Sequence, residues 1–139
     1  TIAASFALGA ALQKTGVAAM LAETLVSLSG GRPWLLLVLT YISVSVLTEL
    51  ITNNAAAIIM VPLALAITQQ AGLDPQAFMF AIMIAASSSF ATPLGYQTNL
   101  MVYGPGSYRF TDFLKAGIPM NIVVAVTTLT VLLWLVPLQ

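Results

Sequence analysis

Charged side chains divide this sequence into long uncharged stretches, and their spacing restricts the possible folds more than any other feature. Four Lys or Arg and four Asp or Glu leave uncharged runs at 33–48, 50–73, 75–108 and 116–139. A helix that spans a lipid bilayer needs about 20 apolar residues, and three of these runs are that long. We therefore predict an all-α integral membrane protein in contact with the lipid bilayer.

The composition excludes several other classes of protein. Hydrophobic residues make up 60% of the chain and charged residues 6%, whereas a soluble domain has about 25% charged residues. A water-soluble enzyme is therefore excluded. The net charge is zero, and without a basic patch the chain cannot neutralise nucleic-acid phosphates. The sequence contains neither Cys nor His, so zinc hydrolases and His-based triads lack their ligands and base.

The beginning of the chain predicts two short helical pieces. Residues 1–13 resemble the end of a membrane helix and lack the basic region and cleavage site of a signal peptide, so we interpret the chain as a fragment. Residues 17–28 are apolar apart from Glu23 and are too short to cross a bilayer. Such a helix lies along the interface or links two membrane elements. Pro33 fits the first turn of the next helix.

Residues 34–68 are apolar on both sides of a polar centre. One continuous helix would be about 52 Å long, too long for a hydrocarbon core of about 30 Å. Two full spans would place the centre in water, but the second arm, 55–68, would be only about 21 Å long. We favour a re-entrant hairpin whose polar tip, defined here as Thr52, Asn53 and Asn54, lies inside the bilayer. Non-helical backbone is tolerated there only where it lines a cavity or is covered by protein.

The polar tip is a candidate binding site because two helix ends meet there. The first arm ends with unpaired C=O groups, which attract cations, and the second begins with unpaired N–H groups, which attract anions. Asn53 and Asn54 add side-chain amides, although such a pair also suits a simple turn or a helix cap. Glu49 lies nearby in the first arm. It is either a functional carboxylate or a structural brace held by hydrogen bonds.

Residues 76–106 predict a second interrupted helix. Pro93 removes a backbone donor and Gly95 loosens the chain, so we expect the helix to unwind at 92–99. The polar residues of this segment are Thr92, Gln97, Thr98 and Asn99. They either contact a ligand or satisfy backbone groups that the unwinding leaves free.

Residues 117–138 are the last predicted transmembrane helix, and an amphipathic connection at 107–116 precedes it. The connection contains Arg109 and Lys115, whereas the 69–75 loop has no basic residue. The positive-inside rule therefore places the connection in the cytoplasm. We expect a multi-pass protein of the plasma membrane, which in bacteria is the inner membrane.

Three segments resemble one family of membrane transporters. Residues 48–55, T-E-L-I-T-N-N-A, resemble the T-E-x-x-S-N-T-A signature of the divalent anion/sodium symporter family, part of the ion transporter superfamily. Residues 90–106 are similar to that family's proline-rich unwound helix, and 113–121 to the start of its last helix. The segments occur in matching order, and the resemblance extends over essentially the whole chain.

The resemblance implies that residues 1–139 are the second of two inverted repeats, and that the first repeat is a missing structural partner. It places the substrate beside Thr52, Asn53 and Asn54 at the tip, and beside Tyr96, Gln97 and Thr98 in the unwound helix. It implies a Na⁺ site made by Thr48, the Ile51 carbonyl, Asn53 and the Gly95 carbonyl. Asn54 replaces the signature Thr, and 96–99 reads Y-Q-T-N where many members have T-P-P-N. At both positions the sequence looks more like that of sulfate or generic anion permeases than that of dicarboxylate carriers.

We therefore predict a secondary active transporter that couples Na⁺ to the uptake of a small anion, of the sulfate or di/tricarboxylate class, by alternating access. No enzyme activity and no cofactor besides the coupling Na⁺ are expected, and a homodimer is a candidate assembly. One alternative is a proton-coupled or metalloid anion antiporter, in which Glu49 would carry the proton. Another is a channel subunit with a re-entrant loop. A non-transporting scaffold has no reason to keep polar groups at 52–54 and 92–99 inside the bilayer.

Overall fold

Helices make up most of the described chain. The computed structural model describes residues 14–136 together with Ala3, Ala7, Ala10 and Ala11. The helices of residues 17–135 are α1 (Val17–Ser29), α2 (Pro33–Leu50), α3 (Asn53–Ala71), α4 (Pro75–Ser87), α5 (Gln97–Tyr103) and α6 (Phe110–Leu135). By length and composition, α2, α3 and α6 are able to cross a membrane. The predicted all-α membrane fold is confirmed, while most of the helix end predicted at 1–13 lies outside the described residues.

Local sequence sets the ends of the central helices. Pro33 occupies the first position of α2, where its missing N–H costs nothing. Gly72 follows α3 in a left-handed conformation with φ 66°, which glycine adopts without steric cost. The Asp74 carboxylate accepts a hydrogen bond of 2.8 Å from the Gln76 N–H and caps the start of α4. A short turn at 72–74 therefore joins α3 to α4.

The second arm of the hairpin is longer than the sequence predicts. α3 begins at Asn53 and continues to Ala71, although the sequence predicts a loop from 69 onward. Its 19 residues extend about 28 Å at 1.5 Å per residue, close to the hydrocarbon thickness of about 30 Å. The short length inferred for 55–68 is therefore wrong, because the helix stops only at Gly72. Length alone does not separate a re-entrant hairpin from two spans, and the depth of the polar tip stays a prediction.

The hydrophobic core lies between α2, α3 and α4. Its most buried large members are Leu36, Leu37, Tyr41, Val44, Ile67, Phe78 and Ile82. α1 packs mainly against α3. The outer faces are apolar as well, and Trp134 in α6 is 88% exposed. Apolar surface of this extent fits contact with lipid or with further protein rather than with water.

A non-helical segment, residues 88–96 and called the break below, separates α4 from α5. α6 packs closely against the break at Gly117. A Cβ at this position would overlap the backbone of Phe90 and Ala91. The absence of a side chain at Gly117 therefore lets the last helix lie directly on the break.

The last helix begins earlier than the sequence predicts. α6 starts at Phe110 rather than at 117, so the amphipathic connection is shorter than 107–116. The cause is local, because the Asp112 carboxylate accepts a hydrogen bond of 2.8 Å from the Arg109 N–H. An acidic residue in the first turn also interacts favourably with the helix dipole. The helix ends at Leu135, and 137–138 lie outside the described residues.

Candidate functional site

The polar tip and the break line one cavity of about 280 Å³. Its lining residues are Thr52, Asn53, Asn54, Gly95, Tyr96, Gln97 and Thr98. The structure thus brings together all six side chains predicted to contact substrate, from segments more than 40 residues apart in the chain. All of the lining residues are uncharged. An ion that entered the cavity would therefore meet hydroxyl and amide groups and backbone.

The backbone at the polar tip is extended for two residues between two helices. Ile51 has φ −128° and ψ 171°, and Thr52 has φ −66° and ψ 149°. At the end of α2, the Ile51 N–H donates to the Leu47 carbonyl at 3.0 Å. At the start of α3, the Ala56 N–H donates to the Thr52 carbonyl at 2.9 Å, which is the first backbone bond of this helix to the tip. The preceding N–H groups of α3 have no partner within the helix, as at every helix start. This end of α3 carries partial positive charge at the cavity.

Glu49 lies at the end of α2, and its carboxylate accepts five hydrogen bonds. One oxygen, Oε1, accepts from the backbone N–H groups of Phe90 and Ala91, both at 3.1 Å, and from the Asn121 side-chain amide at 2.7 Å. The other, Oε2, accepts from the Thr92 N–H at 2.8 Å and the Ser89 hydroxyl at 3.2 Å. Because an ionised carboxylate only accepts hydrogen bonds, five donors suit its charged form. Glu49 does not line the cavity, and its contacts are those of a brace.

These contacts account for the position of the break. In a continuous helix, the N–H groups of residues 90–92 would donate to the carbonyls of 86–88. They donate to Glu49 instead, so α4 ends at Ser87, six residues before Pro93. The sequence predicts unwinding at 92–99, which is wrong at both limits, because the break covers 88–96 and Gln97 begins α5. A carboxylate on another helix, rather than the proline alone, ends the helix.

The freed carbonyl of Ala86 faces the side chain of Asn53. The Thr48 hydroxyl donates to this carbonyl at 2.7 Å. The Asn53 side-chain amide reaches the same point, where its Nδ2 donates to the Ala86 carbonyl and to the Thr48 hydroxyl oxygen, both at 3.2 Å, and to the Gly95 carbonyl at 3.1 Å. We call these four groups the oxygen cluster. Three of the four residues predicted to hold Na⁺ belong to it, namely Thr48, Asn53 and Gly95.

Ile51 and Ala86 differ from the predicted arrangement of the ion site. Ile51 is the extended residue after α2, and its carbonyl is not one of the three oxygens that the Asn53 amide contacts. Its role as a Na⁺ ligand stays a prediction. The Ala86 carbonyl joins the cluster without having been predicted, because a backbone oxygen has no signature in the side-chain sequence. The small residues at 85–89 were the available signal, since they permit close approach of helices.

Gly95 holds the break against the end of α2. A Cβ at this position would overlap the Thr48 carbonyl oxygen and the Ser89 hydroxyl, so only glycine fits without movement. The Thr92 hydroxyl donates to the Glu49 carbonyl at 2.7 Å, which fixes the same two segments together. These close contacts set the position of the Gly95 carbonyl relative to Asn53.

Asn99 stabilises the break rather than lining the cavity. Its amide nitrogen donates to the Ser89 and Thr92 carbonyls, both at 3.1 Å. Asn99 therefore satisfies backbone groups that the unwinding leaves free, which was one of its two interpretations. Its neighbour Thr98 does line the cavity. Asn121 was not predicted as part of the site, although an amide within an apolar helix was a usable signal.

Comparison with known proteins assigns the chain to a family. A family model described as citrate transporter matches residues 1–137. The chain belongs to the citrate transporter family. This family is one of transporters and not of enzymes, and the chain is part of a multi-pass membrane protein. The resemblance to divalent anion/sodium symporters is confirmed as well, because the relatives include cotransporters of that kind.

Individual members of the transporter family are similar over most of the chain. An uncharacterized transporter of Synechocystis is 45% identical over 122 residues, which are 87% of this chain and 20% of that protein. Sodium/sulfate cotransporter 1 of Chlamydomonas reinhardtii is 42% identical over 124 residues, 88% of this chain and 14% of that protein. A sodium-dependent high-affinity dicarboxylate transporter of Caenorhabditis elegans is 30% identical over 112 residues, which are 81% of this chain and 20% of that protein. The chain thus spans a fifth or less of these relatives.

Proposed function

We propose that the protein containing this chain takes up a small anion together with Na⁺, by alternating access. The observation that carries the proposal is the adjacency of the oxygen cluster and the uncharged cavity, which share Asn53 and Gly95. In transporters with interrupted helices, unwound carbonyls hold the cation and half-helix N-termini face the anion. The end of α2 and the break supply the first kind of group, and the start of α3 supplies the second.

The oxygen cluster suits Na⁺ in both chemistry and spacing. It contains two backbone carbonyls, a hydroxyl and an amide, all neutral, and the Asn53 amide lies 3.1–3.2 Å from each of the other three oxygens. Oxygens at this spacing are close enough to contact one small cation. The Glu49 charge is bound by five other groups, so the ion would be held by dipoles rather than by a carboxylate. Na⁺ would bind here as a co-transported ion.

For the anion, we propose the sulfate class. Asn54, Tyr96 and Gln97 present amide and hydroxyl groups at the cavity, and positive charge there comes from the start of α3. A small anion with several oxygens is able to accept hydrogen bonds from these groups without a basic side chain. The sulfate cotransporter relative is 42% identical, and the dicarboxylate transporter relative is 30% identical. Both similarities support an anion, and the first favours sulfate.

Two further features belong to the whole protein. We propose that an inverted repeat outside this chain completes the cavity, as in other transporters of this architecture, and that a homodimer in the plasma membrane is the assembly. The exposed apolar surface of α6 supports contact with lipid or with additional protein. The proton-coupled antiporter is less well supported, because the Glu49 carboxylate accepts five hydrogen bonds and does not line the cavity.

Radioactive sulfate uptake by the full-length carrier in proteoliposomes tests the proposal. We expect uptake to require an inward Na⁺ gradient and to saturate with sulfate. Asn53→Ala should abolish it, since this change removes a member of both the cluster and the cavity lining. Gln70→Ala is the matched control, because Gln70 is exposed near the opposite end of α3. Unchanged Na⁺-dependent uptake in Asn53→Ala would contradict the site.

The same assay separates the alternatives. Uptake that follows the pH gradient and ignores Na⁺ indicates the antiporter. A flux that does not saturate and never accumulates sulfate against its gradient indicates a channel. If sulfate is not transported but a dicarboxylate is, the coupling proposal stands and the choice of anion is wrong.

A further inference from the structure

A second cavity, of about 420 Å³, lies between the break, α5 and the start of α6. We call it the aromatic cavity. It shares no lining residue with the cavity at the polar tip, and its volume is within the range of small-ligand sites, about 300–1,000 Å³. Three of its six lining residues are aromatic and one is acidic. The lining consists of Phe90, Val102, Tyr108, Asp112, Phe113 and Ala116.

Asp112 is the only charged residue among these six. Its Oδ2 accepts a hydrogen bond of 2.8 Å from the Arg109 N–H. Within the part of the chain that the structure describes, its other oxygen accepts no hydrogen bond and the carboxylate forms no salt bridge. A carboxylate with a free oxygen attracts a charged donor, and the faces of nearby aromatic rings attract cations. The lining therefore suits a positively charged group.

The aromatic wall of this cavity is formed by local contacts. A Cβ at Gly106 would overlap the ring of Tyr108, so this ring lies directly on the turn that precedes α6. The rings of Tyr108 and Phe113 meet edge to face, with their centroids 5.9 Å apart. Tyr103 packs against Phe113 as well, at 5.8 Å. The wall is thus formed before a ligand binds, which lowers the entropy cost of binding.

The length of α6 places the aromatic cavity near a membrane surface. Its 26 residues extend about 39 Å at 1.5 Å per residue. This is longer than the hydrocarbon core of about 30 Å and close to the full bilayer thickness of about 40–45 Å with headgroups. When α6 spans the bilayer, its first turn therefore reaches the headgroup layer. Asp112 belongs to this turn.

Two basic residues stand on either side of Asp112. Arg109 and Lys115 lie three residues before and after it, a spacing that brings residues of a helix onto one face. Both are exposed, and neither forms a salt bridge with any residue that the structure describes. A ligand with adjacent positive and negative groups matches this order of charges.

We propose that the aromatic cavity binds the headgroup of phosphatidylethanolamine. The primary ammonium donates to the free oxygen of Asp112 and contacts the aromatic rings, and the phosphate, two carbon atoms away, lies beside Arg109 and Lys115. Asp112 repels a headgroup that is only anionic. The quaternary ammonium of phosphatidylcholine has no N–H to donate to the carboxylate. Because Phe90 belongs to the break, the bound lipid packs against this segment.

Native mass spectrometry of the full-length carrier in detergent tests the choice of headgroup. The probes are phosphatidylethanolamine, its N-methyl and N,N-dimethyl derivatives, and phosphatidylcholine, all with the same acyl chains. The series keeps the positive charge and removes N–H donors one at a time. We expect the Kd to rise about fivefold or more from the first lipid to the last, the effect of losing a hydrogen bond to a charged acceptor. Equal or tighter binding of phosphatidylcholine, or tighter binding of phosphatidylglycerol, overturns the proposal.

A substitution tests whether this preference arises at the aromatic cavity. Asp112→Asn removes the charge but keeps an oxygen that is able to accept from the Arg109 N–H. We expect the preference for phosphatidylethanolamine to disappear. Asp74→Asn is the matched control, because Asp74 caps the start of α4 in the same way, by accepting from the Gln76 N–H at 2.8 Å, and does not line the cavity. The same preference in both variants overturns the site.

A second variant leaves the helix cap intact. Tyr108→Leu should weaken phosphatidylethanolamine binding about threefold, because it removes one ring that contacts the ammonium. Tyr103→Leu removes a ring of the same cluster that does not line the cavity and should have a smaller effect. Unchanged binding in Tyr108→Leu overturns the proposal even if Asp112→Asn does not fold. None of these measurements involves transport, so their failure leaves the proposed symport intact.

Discussion

Replacing Glu49 by Gln tests whether one carboxylate maintains the break. The substitution keeps the size of the side chain but leaves one acceptor oxygen and adds an NH₂ group. The best orientation places this oxygen on the Phe90, Ala91 and Asn121 donors, which share Oε1 of Glu49 in the wild type. The NH₂ group then faces the Ser89 hydroxyl, which is able to rotate, and the Thr92 N–H, which is not. The Thr92 N–H loses its acceptor.

The loss of stability expected for Glu49→Gln follows from these hydrogen bonds. A buried donor without a partner costs about 1–3 kcal/mol, and the remaining bonds lose the extra strength of a charged acceptor, about 0.5–1 kcal/mol each. Part of this loss is offset because a neutral amide is less costly to bury than a carboxylate. We expect the free energy of local unfolding at the break to fall by about 2–4 kcal/mol.

Hydrogen exchange of the full-length carrier in nanodiscs measures this quantity at the relevant residues. A loss of 2–4 kcal/mol corresponds to exchange about 30-fold to several hundred-fold faster at residues 90–92. Sulfate uptake should fall with it, because the break carries Gly95. Glu23→Gln is the control, since Glu23 is exposed on α1. Exchange at 90–92 that is the same as in wild type would refute the role given to Glu49.

Two smaller changes test the same region. Gly95→Ala should reduce Na⁺-dependent uptake about tenfold or more, because its Cβ overlaps the Thr48 carbonyl and forced packing costs about 1–3 kcal/mol. Gly104→Ala is the control and should transport normally, because there is open space around Gly104. Equal uptake by both variants would contradict the prediction. Asn121→Ala removes the 2.7 Å bond to Glu49 and should weaken the break by about 1–2 kcal/mol in hydrogen exchange. Thr130→Ala on the same helix should leave the break unchanged, because the Thr130 hydroxyl bonds only within α6. Equal effects of the two substitutions on hydrogen exchange would argue against a specific role for Asn121.

The sequence predicts the helices well where the determining residues are local. Long uncharged runs predict the membrane helices, and Gly72 and Asp74 predict the turn between α3 and α4. In contrast, α4 ends at Ser87 because of Glu49, which is nearly 40 residues away in the chain. No periodicity or local propensity contains that information. Pro93 indicates that a break exists but not where it begins.

The candidate site is predictable to a similar extent. Side chains with a recognisable pattern, Thr52 to Asn54 and Tyr96 to Thr98, do meet in one cavity. The Ala86 carbonyl was not predictable, because it becomes available only after the Phe90 N–H bonds to Glu49 instead. Groups of this kind depend on tertiary hydrogen bonding, which a single sequence does not specify.

The direct contact of Gly117 with the break has a mechanical consequence. A helix whose backbone touches another backbone, with no side chain between them, has no layer of flexible atoms along which to slide. Glu49 further ties both segments to the end of α2. We therefore expect these three segments to move as one rigid body in the proposed alternating-access cycle, with the bending confined to joints elsewhere in the protein.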